Sequence, residues 1–241
     1  MATYNGARFI KQQIDSILPQ LGTDDELIIS DDGSTDGTLD ILASYNDARI
    51  KVFHHKKSRV SNRYKNHRYA TENFENALFN AKGDFIFLSD QDDVWLLDKV
   101  SHCMELLDKY DCIVHNYQII DIDGKLQSEK GFPKNPLHKS LVLNVLDNHF
   151  RGCCMAFKSD FLKIILPIPD SVIGHDYWIG TLIAHFGAVY YEMKPLIKSR
   201  RYAESVSAKK NHNLLYKIIF RCALFYELEK RHFASRKKYE A

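Results

Sequence analysis

Two short apolar runs in this 241-residue chain each end in a cluster of carboxylates, and that pairing constrains the fold more than any other feature. The first run is Glu26-Leu-Ile-Ile-Ser-Asp31, which leads into Asp32-Gly-Ser-Thr-Asp-Gly37. The second is Asp84-Phe-Ile-Phe-Leu-Ser89, which leads into Asp90-Gln-Asp-Asp93. Apolar runs this short, bounded by turn residues, read as buried strands. Helical patterns alternate with them. Gly6 to Gln20 carries Phe9, Ile10, Ile14, Ile17 and Leu18 at helical spacing, with Pro19 near its end. Gly37 to Tyr45 reads as a second helix and Ile50 to Phe53 as a strand. Thr71 is the expected N-cap of a helix through Ala81 that Gly83 closes. Downstream, the pattern predicts a helix over 97–110, strands over 112–120 and 152–157, a helix over 177–186, and strands over 189–192 and 196–199. Such alternation predicts an α/β fold, a mixed sheet with helices on both faces. Ligands of such sheets sit beyond the carboxyl ends of the strands, where both acidic clusters fall.

Composition narrows the class further. Hydrophobic residues make up 45% and charged residues 27%, which excludes wholesale disorder and a collagen-like repeat. Lys and Arg number 33 against 31 Asp and Glu, so the net +2 names no partner. The 5 cysteines include no C-x-x-C pair, no apolar leader opens the chain, and no apolar run reaches membrane-spanning length. The expectation is a reduced, cytoplasmic protein. Met1 to Gly6 reads as the turn after a strand that has almost no residues, so the first strand is expected to be truncated and the start to lie too late.

Asp90-x-Asp92 at a strand end suits a hard divalent cation, Mn²⁺ or Mg²⁺, which phosphate oxygens or water would complete. The competing reading is a solvated acidic turn that caps the next helix. The stretch also resembles the nucleophile motif of haloacid-dehalogenase-type phosphatases, with Asp90 as phosphoryl acceptor and Asp92 beside it. Reading Asp32 onward as an EF-hand fails, because the twelfth position is Ala43.

Six segments taken together carry a resemblance. They are Thr3-Tyr-Asn-Gly6, Asp31-Asp-Gly-Ser-Thr-Asp36, Leu88-Ser-Asp-Gln-Asp-Asp-Val-Trp95, Gly152-Cys-Cys-Met-Ala-Phe157 with Gly174-His-Asp-Tyr-Trp178, and Arg201-Tyr-Ala-Glu-Ser-Val-Ser207. The chain resembles the family-2 glycosyltransferases of GT-A fold, most of all the rhamnosyltransferase-type branch of bacterial polysaccharide synthesis. The resemblance implies inverting transfer of a sugar, rhamnose in that branch, from a nucleoside-diphosphate donor to a glycan or lipid-linked glycan, with Mn²⁺ or Mg²⁺ as cofactor. It implies nucleotide binding by Thr3, Tyr4, Asn5, Asp32 and Asp90, metal binding by Asp92 and Asp90, and catalysis by Asp176 as general base. His175, Trp178 and Trp95 are then expected on the acceptor side.

Two segments depart from that resemblance. His54 to Arg68 holds a basic run with no acidic residue, read either as a solvated loop or as a lid over diphosphate. It is also the feature behind a third reading, a nucleic-acid-binding module, for which no RNA-binding signature is present. The second is the tail. We divide the chain into a GT-A domain over 1–210 and a basic amphipathic helical extension over 211–241. Leu214, Leu215, Ile218, Ile219, Cys222, Phe225 and Tyr226 make the extension's apolar stripe. Such a helix packs on its own domain or lies on an anionic membrane face.

Overall fold

The computed structural model describes residues 1–56, 65–138, 140–147, 149–172, 174–202 and 214–239. The expected fold class is what it shows. Strand β1 (Ala2–Thr3), β2 (Leu27–Asp31) and β3 (Ile50–His54) form a parallel three-stranded sheet in the order β1-β2-β3. Helix α1 (Ile10–Ile17), extended by a 3-10 turn over Leu18–Gln20, connects β1 to β2. Helix α2 (Thr38–Ala43) connects β2 to β3. All five residues of β2 are buried, which explains why Leu27, Ile28 and Ile29 are apolar without alternation before the polar Ser30 and Asp31. The first β element is two residues long, and the Met1 amino group donates to Ile28 O at 2.7 Å.

A second sheet carries the rest. It comprises β4 (Phe85–Phe87), β5 (Val94–Trp95), β6 (Cys112–Ile120), β7 (Leu126–Ser128), β8 (Met155–Lys158) and β9 (Val189–Arg200). Its order is β4-β8-β6-β9-β5, with β7 paired to β6. Only β6 and β9 run parallel; the other pairs are antiparallel. The two strands expected over 189–199 are one continuous β9, whose register against β6 shifts where Pro195 faces Asn116. Proline has no N–H to give the ladder, so the shift falls there.

Four helices pack around these sheets: α3 (Lys65–Asn80), α4 (Lys99–Leu107), α5 (Leu141–Leu146) and α6 (Leu162–Ile165). Two more follow, α7 (His175–Phe186) and α8 (Leu214–Tyr239). Thr71 is not an N-cap. It lies inside α3, fully buried, and its Oγ1 accepts the Gly174 N–H at 3.0 Å. That contact gives a buried helical threonine a tertiary partner, and local capping propensity does not decide its place. The strand expected over 152–157 begins instead as a 3-10 turn at Gly152–Cys154. A Cβ on Gly152 would stand 2.7 Å from His175 Nε2, so the backbone passes too close to α7 for any side chain. One core runs between α3, α7 and the sheet strands through Phe74, Leu78, Met155, Phe157, Trp178 and Leu182.

Helix α8 docks through Leu224 and Leu228, which are buried in that core. Its apolar stripe is not the docking face. Ile219, Tyr226 and Phe233 are 59%, 67% and 61% exposed, and their seven-residue spacing puts them on one side, away from Leu224 and Leu228. Ile218, Cys222 and Phe225 are exposed too. The side chains of Leu214 and Leu215, most of the basic run after Lys56, and residues 203–213 lie outside the described residues.

Candidate active site

The two acidic strand ends come together around the loop after β1. Asp31 is committed to building its own turn. Its Oδ1 accepts the Gly33 and Ser34 N–H groups at 3.0 and 2.8 Å, and its Oδ2 accepts the Thr3 and Ser34 hydroxyls at 2.9 and 2.5 Å. Gly33 is left-handed, with φ of 78°, which only glycine adopts cheaply. With Asp31 turned into the loop, the next carboxylate, Asp32, reaches His55 Nδ1 at 2.9 Å from its Oδ1. Thr3 is buried, and its backbone oxygen accepts from Asn73 Nδ2 at 3.0 Å. Tyr4 keeps an exposed ring. Asn5 has φ of 49°, and its Oδ1 accepts the Thr35 N–H at 2.8 Å, so its amide oxygen serves the loop.

Gln91 joins this loop to the end of β4. Its Oε1 accepts the Tyr4 N–H at 2.8 Å and its Nε2 donates to Tyr4 O at 3.1 Å. Gly6 makes room, since a Cβ there would fall 2.4 Å from Gln91 Oε1. With Gln91 used this way, three aspartates crowd the same strand end. Burial, reinforced by the charges of Asp93 and Asp92, pushes the Asp90 carboxyl up to about 8. Burial and Asp93 push Asp92 up to about 6, against a hydrogen bond from Tyr202 Oη to Asp92 Oδ2 at 2.7 Å. Asp93 is buried. Its Oδ1 accepts the Arg200 N–H at 3.1 Å, while its Oδ2 has no hydrogen-bond partner. Ligand atoms of Asp90, Asp93 and Cys153 lie within 4.8 Å of one another.

These residues fit a hard divalent cation. Burial raises the Asp90 and Asp92 carboxyls and their aspartate neighbours add to it, more than the opposing charges of Arg151 and Arg200 offset. A bound cation would favour the charged forms, and the orphaned Asp93 oxygen is a ready ligand. The sequence reading passed over Asp93 as a ligand, although it is the third aspartate of one four-residue run. The charge of Arg200 favours the Asp92 carboxylate only in part. Its guanidinium donates to the carbonyls of Asp92, Asp121 and Ile122 and to Gln12 Oε1, tying the acidic turn to its neighbouring loops.

Across from the cluster stands the N-terminus of α7. Gly174, with φ of 117°, is its N-cap, and Asp176 lies in its first turn. Asp176 Oδ1 accepts the Tyr177 N–H at 2.9 Å, and its charge acts on Asp90. His175 is buried and stacks on Phe74 with ring centroids 3.8 Å apart. Burial pushes its pKa down, and its Nε2 has no hydrogen-bond partner. The acceptor-side residues expected from sequence are therefore inside the protein. Trp178 is fully buried and donates from Nε1 to Ile165 O at 2.9 Å, because α6 packs on that face of α7. Trp95 is buried in β5 with Lys99 Nζ 4.2 Å from its ring centre.

A parallel βαβ unit feeding a mixed sheet, with carboxylates gathered where the strands end, defines a GT-A type nucleotide-sugar fold. The chain belongs to glycosyl transferase family 2, whose model matches residues 1–165. It is 34% identical over 169 residues to a Shigella flexneri protein described as dTDP-rhamnosyl transferase RfbG, covering 67% of this chain and 55% of that one. The structure is similar to that of S. aureus TarS 1–349 in complex with UDP-GlcNAc, with a TM-score of 0.65 at 17% identity, covering 97% of this chain and 71% of that one. It is also similar to glucosyl-3-phosphoglycerate synthase from Mycobacterium tuberculosis in complex with Mn²⁺, UDP and phosphoglyceric acid. There the TM-score is 0.55 at 18% identity, covering 95% of this chain and 76% of that one. The chain spans 35% of the first curated relative it matches and 61% of the second. Neither the phosphatase reading nor the nucleic-acid reading has support among these matches.

Proposed function

We propose that this chain transfers a sugar, with inversion, from a nucleoside-diphosphate donor to a glycan or lipid-linked glycan of a bacterial surface polysaccharide. The carrying observation is the crowding of Asp90, Asp92 and Asp93 opposite Asp176 at the N-terminus of α7. One group of carboxylates serves the donor and one separate carboxylate is left for the acceptor. In this reading Thr3, Tyr4 and Asp32 hold the nucleoside. Tyr4 offers its exposed ring to a base, and Asp32 its carboxylate to a base or ribose. Asp90 faces the ribose and, with Asp92 and Asp93, holds Mn²⁺ or Mg²⁺. Asn5 shapes the loop. When bound, the cation offsets the charge that builds on the departing diphosphate.

Asp176 takes the proton from the acceptor hydroxyl as that oxygen attacks the anomeric carbon from the face opposite the diphosphate. The likeness to RfbG favours a dTDP-rhamnose donor. Buried beside Asp176, His175 and Trp178 set the position of the helix end and do not touch the acceptor. Asp176→Asn tests the base. Asparagine keeps an oxygen for the Tyr177 N–H, so donor affinity and melting temperature should hold while turnover falls roughly 10²- to 10⁴-fold. Turnover within a few-fold of the parent would place the base elsewhere.

The tail extends this reading to the cytoplasmic face of the membrane. No helix among the described residues is long and apolar enough to cross a bilayer. The outward stripe of Ile219, Tyr226 and Phe233, on a helix that also carries Arg221, Lys230 and Arg231, suits shallow binding to an anionic surface. Ile219→Glu with Tyr226→Glu should abolish binding to phosphatidylglycerol vesicles without a change in melting temperature. Undiminished vesicle binding would remove the membrane from the account.

A further inference from the structure

We propose that His138, Asp147 and His149 form a binding site for a first-row transition-metal ion of the zinc class, separate from the acidic cluster at β4. Asp147 Oδ2 lies 3.3 Å from His138 Nε2 and 3.1 Å from His149 Nε2. All three ligand atoms fall within 4.8 Å of one another. Around a tetrahedral ion with bonds of about 2.0–2.1 Å, neighbouring ligand atoms stand about 3.3 Å apart. The two nitrogen–oxygen separations match edges of such a tetrahedron. Three protein ligands leave its fourth corner for water or a further ligand.

The donor set separates this site from the one in the active centre. Two imidazoles with one carboxylate are zinc-class ligands, whereas the aspartates after β4 suit a hard ion. The two imidazoles also hold the Asp147 carboxyl below its usual range, His149 first, so its charged, ligating form is the favoured one.

The backbone that presents these ligands is fixed by contacts that use none of the ligand atoms. Asn144, buried within α5, accepts the His138 N–H on its Oδ1 and donates from Nδ2 to the His138 carbonyl, both at 2.8 Å. Ser140 is the N-cap of α5 and Asp147 its C-cap. The His149 ring sits edge-on to Phe132 with centroids 5.9 Å apart. The three ligands therefore bracket α5, which packs against α7 and α8. A bound ion would close that bracket and restrain the element beside the helix that carries Asp176. The spacing of the three residues in sequence matches no familiar ligand pattern, so only the fold brings the group together.

The test uses the untagged full chain, stripped with chelator and dialysed against Zn²⁺ alone, with Asp90→Asn and Asp92→Asn together so that the active centre does not compete. Elemental analysis should find a single equivalent of zinc, and the melting temperature should rise with it. His138→Ala and His149→Ala, at half-exposed positions, should each weaken zinc binding by at least about 10-fold while their metal-free melting temperatures stay near the parent's. Co²⁺ in place of zinc should give the intense visible bands of four-coordinate geometry, lost in both variants. Absence of zinc uptake, or uptake that both histidine variants retain, would overturn the proposal and leave the cluster an ion pair.

Discussion

Tyr202 and Asp92 lie 110 residues apart in the chain, and the tyrosine hydroxyl donates to Asp92 Oδ2 at 2.7 Å. Tyr202 lies two residues beyond the end of β9, whose last residue, Arg200, also holds the Asp92 carbonyl. The segment after β9 thus orients one oxygen of the aspartate that we propose as a metal ligand. Outer hydrogen bonds of this kind typically contribute 10- to 100-fold to metal affinity. Tyr202→Phe should therefore raise the Mn²⁺ concentration needed for nucleotide binding by about 10-fold or more, with little change in metal-free stability. A superimposable Mn²⁺ titration would show that Tyr202 does not position the ligand.

Gly6 and Gln91 form a second such dependency. A methyl group at Gly6 would overlap the Gln91 amide and force it off both Tyr4 backbone groups. The Gln91 amide is the end of a flexible side chain and can swing away, so the loss is that of its hydrogen bonds, about 0.5–1.5 kcal/mol each, and each kcal/mol lowers the melting temperature of a chain this size by about 2–4 °C. Gly6→Ala should show that loss and weaken donor binding. In the Gln91→Ala background the same change should cost less, because the overlap is gone. Additive losses in the double variant would mean that the two residues act independently.

Much of this arrangement was legible in the sequence because it rests on local patterns. The run 27–29 is apolar without alternation because both faces of its strand are buried, and it reads as a strand from that alone. Both acidic strand ends followed from the same reading. What was not legible is tertiary. Nothing local in Thr71 says that its hydroxyl will serve Gly174 N–H, so a capping residue and a mid-helix residue look alike. Trp178 matches an acceptor-side segment by position, yet its direction on α7 is set by α6 packing over it. The stripe of α8 left packing on the domain and binding to a membrane face both open, because its spacing does not show that the helix docks through Leu224 and Leu228 and turns Ile219, Tyr226 and Phe233 outward. Asp93 was not among the expected ligands, because a run of carboxylates does not reveal which oxygen will be left without a partner.

The most direct measurement is calorimetric titration of UDP and dTDP into the purified chain, with and without Mn²⁺, for the parent and for Asp92→Asn. The account predicts that at least one of the two nucleotides binds the parent only when Mn²⁺ is present. It predicts that Asp92→Asn loses this binding while it melts at the parent's temperature. Absence of binding by either nucleotide in Mn²⁺, or equal Mn²⁺-dependent affinity in parent and Asp92→Asn, would contradict it.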